Sequence, residues 1–90
     1  MSEANLHAIA ALKRTIALME AVEPTGTPDG IIYTAFLAMG MENFYRETLT
    51  HLVALNVLKR TNVNLTICRG DDYEKALSGF RKAVKILEEK

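Results

Sequence analysis

Apolar positions recur at helical spacing over residues 3–22. Ile9, Leu12, Ile16 and Met19 fall three, four and three residues apart, which sets them on one helical stripe with Leu6 and Leu18 beside it. Ser2 suits the N-cap and Glu3 the first turn. The run EPTGTPDG at 23–30 breaks the pattern with two prolines and two glycines, so it predicts a loop. Its end also predicts a helix start, with Thr27 as N-cap, Pro28 in the first helical position and Asp29 at the positive end of the dipole. A second helix follows over 28–39, with Ile32, Phe36 and Met39 on one face. Ile31, Tyr33 and Leu37 are apolar too, so this helix is expected to be covered on more than one side. Gly40 can end it in the left-handed conformation.

A third helix is predicted over 42–55. Its inner stripe is Tyr45, Leu49, Leu52 and Val53, and its outer face is Asn43, Arg46, Glu47, Thr50 and Ala54. Asn56, a residue type that tolerates positive φ, makes the stop. Residues 57–60 and 63–67 then read as two short β-prone runs around Thr61-Asn62, a small hairpin that must lie on the helices to be stable. A last helix spans 71–88, capped by Asp71 or Asp72. Tyr73, Leu77, Phe80, Val84 and Leu87 follow a 4-3-4-3 spacing on it, a stripe of seven-residue period.

Ninety residues make one domain over 1–90, mainly α with one small β-hairpin. Eleven basic residues balance eleven acidic ones, whereas nucleic-acid binders usually carry a basic surplus. No apolar run is long enough to span a bilayer, and MSEANL is no signal peptide, so a cytoplasmic chain without membrane contact is expected. Cys68 stands alone, which excludes an internal disulfide, and it reads as a small hydrophobe at a strand end. Asn64-Leu65-Thr66 fits a glycosylation sequon that has no meaning without secretion. The 23–30 loop lacks the GK[ST] ending and the preceding strand of a phosphate-binding loop. His7, His51 and Cys68 show no metal-ligand spacing, and no catalytic constellation stands out. The expectation is no metal, no cofactor and no enzyme activity.

The order helix, helix, short turn, helix, hairpin, together with residues 49–67, LTHLVALNVLKRTNVNLTI, resembles winged-helix domains. Leu49, Leu52, Asn56, Val57 and Leu58 fall where that family ends its third helix as Leu-x-x-Leu-x-x-x-Gly-Leu-Val, with Asn in place of Gly. Leu65-Thr66 falls where the wing returns. The resemblance covers residues 4–67 and implies a winged-helix-like three-helix core, with 71–88 as an added C-terminal helix. A four-helix bundle with an irregular loop over 57–68 is the competing architecture.

The resemblance also implies a dimeric DNA-binding transcriptional regulator. Asn43, Arg46 and Thr50 would then read bases of double-stranded DNA, while Lys59, Arg60 and Arg69 hold phosphates. Residues 41–70 carry four basic and two acidic residues, a small local surplus. A homodimer would form through Tyr73, Leu77, Phe80, Val84 and Leu87 of the last helix, because small winged-helix regulators commonly dimerise through helices outside the core. These same residues could instead pack on the first helix of their own chain. The neutral charge and the apolar second helix support a different function, a winged-helix-like protein–protein interaction module with no nucleic-acid role.

Overall fold

The N-terminal residues start a helix where the sequence puts one. Ser2 Oγ accepts from the Asn5 amide at 3.1 Å, and helix α1 runs Glu3–Ala21. The computed structural model describes residues 2–61 and 65–89. Its further elements are β1 (Thr27–Pro28), α2 (Asp29–Ala38), α3 (Glu42–Ala54), β2 (Leu58–Arg60), β3 (Thr66–Arg69) and α4 (Tyr73–Glu88). The layout is mainly helical and winged-helix-like: a three-helix core, a small antiparallel sheet and a C-terminal helix.

Two helix ends follow the same chemistry. Gly40 has φ 71° and Asn56 has φ 63°. After α2, the Gly40 amide donates to Leu37 O at 3.0 Å and the Met41 amide to Phe36 O at 2.8 Å. After α3, the Asn56 amide donates to Val53 O at 3.1 Å and the Val57 amide to Leu52 O at 3.0 Å. Each is a Schellman closure, in which a left-handed residue turns the chain and the last carbonyls find donors. In both, the residue beyond the turn (Met41 or Val57) packs back into the core.

The start of α2 departs from expectation. Thr27 is not its N-cap but part of β1, which pairs with β3 through Thr27–Ile67 and Pro28–Thr66. Thr27 Oγ1 accepts instead from the Glu23 amide at 2.9 Å, and Pro28 stands at the cap position without a side-chain bond. A free amide of the first turn, that of Asp29, donates to Leu65 O at 2.9 Å. A backbone carbonyl from the strand end thus does what a capping side chain would do. The sheet order is β1-β3-β2, so the expected hairpin is the outer part of a three-stranded sheet. The second run is shifted: β3 covers 66–69 rather than 63–67, while residues 62–64, which include part of the expected turn and strand, lie outside the described residues.

Leu18, Met19, Ile32, Phe36, Leu52 and Ile67 are among the side chains closing the core between α1, α2, α3 and the sheet. α4 lies along α1. Tyr73, Leu77 and Val84 are buried there, and Phe80 and Leu87 are half-buried. Ion pairs Lys13–Glu88 (3.3 Å) and Arg81–Glu20 (3.1 Å) flank the α1–α4 contact. The five residues of the seven-residue stripe therefore have cover within one chain. The Tyr73 hydroxyl donates to Met19 O at 2.7 Å, and Arg69 Nε donates to Val22 O at 3.0 Å. These two bonds satisfy carbonyls at the C-terminal end of α1, which has no basic residue in its last turn. Among the described residues, no helix is long and apolar enough to cross a membrane.

A charge-balanced cleft and an uncharged helix face

On α3, Glu42, Arg46 and Thr50 stand four residues apart and so share one side of the helix. The sheet brings Arg60 to the same side. In β2, side chains alternate, so Leu58 goes to the core, Lys59 to the opposite face and Arg60 back toward α3. Arg60 Nη2 reaches Thr50 Oγ1 at 3.4 Å. Asp29 and Tyr33 of α2 close the third wall. Leu65, Thr66 and Ile67 complete a cleft of about 670 Å³.

At its base, the Tyr45 hydroxyl donates to the Asp29 carboxylate. The Tyr45 ring meets Phe36 and Tyr33 edge-to-face, with both centroid distances 5.5 Å. Burial, and next the Asp29 carboxylate, push the Tyr45 phenol well above its ordinary value of 10.0, and nearby Arg60 opposes them only partly. Burial also raises Tyr73. The folded state thus holds tyrosine protons that the unfolded chain releases. Their contribution to stability is complete below about pH 10 and is lost as pH climbs above it. The urea midpoint is expected to hold steady up to pH 9 and to fall beyond 10. Tyr45→Phe should make that fall shallower; an unchanged alkaline slope in Tyr45→Phe would contradict this assignment.

Of the six residues read as DNA contacts, the cleft unites Arg46, Thr50 and Arg60. Asn43 is exposed on α3 but does not line the cleft. Lys59 faces away and pairs with Asp71 at 3.5 Å. Arg69 turns inward, bonded to Val22 O, 3.7 Å from Glu74 and 4.3 Å over the Tyr73 ring. The sequence reading missed Asp29, Glu42, Tyr33, Tyr45 and Leu65 as cleft residues. Only the four-residue step from Glu42 to Arg46 was a local clue. Asp29 and Glu42 balance Arg46 and Arg60, so the lining carries no net charge.

The second surface is the outside of α2. The expectation of cover on more than one side fails. Ile32 and Phe36 are buried, whereas Ile31 is 62% and Leu37 51% exposed. Met39, expected beside Ile32 and Phe36, lies beyond the last helical residue and is exposed as well. Gly30, Ile31, Tyr33, Thr34, Leu37 and Ala38 make up the exposed side, and none carries a charge. The one aliphatic hydroxyl on this side, that of Thr34, donates to Gly30 O at 2.7 Å and is thus satisfied within the helix. Gly30, Thr34 and Ala38, four residues apart, form a shallow trough beside Ile31 and Leu37.

No family model, no curated protein and no solved structure matches the chain.

Proposed function

We propose that the chain is a winged-helix-like protein–protein interaction module that pairs with a second copy of itself through the outer face of α2. The observation that supports this reading is the uncharged outer side of a surface helix, with Ile31 and Leu37 both more than half exposed. Apolar area of this kind is stabilised by being covered. The small residues Gly30, Thr34 and Ala38 form the groove that a ridge of another helix enters. The occupant must be a helix without charge on its contacting face, and α2 of a second copy has that chemistry. A ten-residue helix is about 15 Å long, so α2 alone makes an interface at the small, weak end of the range.

Light scattering over a concentration series tests this reading. The wild type is expected to pass from monomer to dimer with rising concentration. Leu37→Lys should remain monomeric with unchanged helical content, because Leu37 supports no core contact. A wild type that stays monomeric throughout would refute the reading.

A second reading, DNA binding as a transcriptional regulator, is favoured by one observation: Arg46, Thr50 and Arg60 stand together on the exposed side of α3. Against it weigh Asp29 and Glu42 in the same cleft, Glu47 on α3, and the engagement of Lys59 and Arg69 with carboxylates. Retention on a double-stranded DNA column that falls steeply as salt rises, and that Arg46→Ala weakens, would favour this second reading.

A further inference from the structure

Two charged groups in the cleft lack what the others have. The Asp29 carboxylate accepts from Tyr45, and Arg60 has Thr50 within reach. Glu42 Oε2 is buried and accepts from no described group. Arg46, one turn further along α3, makes no ion pair among the described residues, not even with Glu42. A buried carboxylate oxygen without a donor is costly, more so than an exposed one. Two opposite charges held one turn apart and left unjoined suit a ligand that carries the reverse pair.

We propose that the cleft binds a short peptide with free termini and apolar side chains, its ammonium on Glu42 and its carboxylate on Arg46. Helix neighbours four residues apart have Cβ atoms about 5–6 Å apart, and an extended chain advances about 3.3–3.6 Å per residue. A dipeptide matches this spacing more closely than a single amino acid, whose two termini are separated by one Cα alone. The about 670 Å³ of the cleft is within the usual range for small-ligand sites and exceeds what one amino acid fills. Its zero net charge excludes a strongly charged ligand and suits a zwitterion. The apolar part has Leu49 and Ile67 at the base, Tyr33 at the side and Leu65 at the mouth. Leu65 is 73% exposed and holds φ 49°, a conformation leucine seldom adopts, so a largely uncovered apolar side chain stands at the entrance. The bond from the Asp29 amide to Leu65 O keeps it there. Arg60 adds a second cation for the carboxylate, and charge-assisted bonds at both ends set the polarity of the bound chain. This site shares Tyr33 with the outer side of α2, but its charged ends, Glu42 and Arg46, lie on α3, so the proposal stands whether or not the protein dimerises.

The experiment is titration of the full chain with L-leucyl-L-leucine, followed by calorimetry and by amide chemical shifts. Saturable binding is expected, with shifts centred on Glu42, Arg46, Thr50, Arg60 and Leu65. N-acetyl-leucyl-leucine and leucyl-leucine amide, each missing one charge, should bind about tenfold more weakly. Glu42→Gln should erase the difference between the free and acetylated peptides while keeping the preference over the amide. Arg46→Gln should do the converse. Both variants keep the size of the side chain at the cleft surface, and circular dichroism checks that they fold. Absence of saturable binding up to about 1 mM would overturn the proposal. So would equal binding of the three peptides, or shifts lying outside the cleft.

Discussion

Phe36→Ala is expected to cost about 4 kcal/mol, the largest loss from any single truncation in the chain. Phe36 is the largest fully buried side chain among the described residues, with 0% exposure. It joins α2 to α3 through its edge-to-face contact with Tyr45, and its carbonyl accepts from Met41 in the turn between the helices. Removing the ring empties a space inside the close-packed core cluster, which relaxes only in part to fill it. A domain of this size has a stability on the order of 5–13 kcal/mol, so the loss takes a large part of it. The melting temperature should drop by roughly 20 °C. Phe36→Leu, which keeps most of the volume, should cost about 1 kcal/mol. Equal losses for the two variants would mean that ring volume is not what holds α2 to α3.

Gly70→Ala should be the most damaging change of a single methyl group, about 3 kcal/mol. A Cβ at Gly70 would run into the backbone carbonyl of Asn56 and the carbonyl carbon of Val57. These are main-chain atoms, and they cannot move freely. The Gly70 amide donates to Val57 O at 2.8 Å, and the Asp72 amide donates to Asn56 O at 3.3 Å. Residue 70 thus lies against the turn that ends α3, in the place where β3 passes into α4. The need is for space, so Gly70→Ser should fail in the same way. Gly79→Ala is the matching control. Gly79 is in the exposed interior of α4, and its Cβ would meet nothing within 4 Å. There the methyl should stabilise by about 0.5–1 kcal/mol through helix propensity. Urea unfolding of both variants gives the two signs. A neutral Gly70→Ala would contradict the close approach.

Local chemistry made most of the elements legible in the sequence. The four helices, the Ser2 cap, and the left-handed stops at Gly40 and Asn56 depend on residues within a few positions of one another, and those signals were read correctly. β1 was not legible. Its two residues follow a proline- and glycine-rich loop, and they become a strand only because Thr66 and Ile67, some forty positions away, pair with them. The same non-local pairing took Thr27 from its expected role as a helix cap. The stripe from Tyr73 to Leu87 was visible from its period, but periodicity says only that a side is covered, not by which chain. In α2 the composition misled: apolar residues all round predicted cover that the single chain gives to one side only. The cleft was half legible. Arg46, Thr50 and Arg60 were singled out as exposed, chemically able residues, while Asp29, Glu42 and Tyr45 join them only through the packing of α2 on α3. Lys59 and Arg69 had the right charge, but the acidic residues after β3 engage both.

Cross-linking at the midpoint of α2 shows whether this helix is the docking surface. Thr34 is the middle residue of the Gly30, Thr34, Ala38 trough, so a symmetric pair of α2 helices brings the two Thr34 positions close together. A disulfide forms only when the Cα atoms come within about 4.4–6.8 Å. With Cys68→Ser removing the native thiol, Thr34→Cys is expected to give a covalent dimer on mild oxidation, and Lys82→Cys on the exposed side of α4 should not. Thr34→Cys remaining monomeric under the same conditions, with Lys82→Cys cross-linked, would rule out pairing through α2 and move the contact to α4.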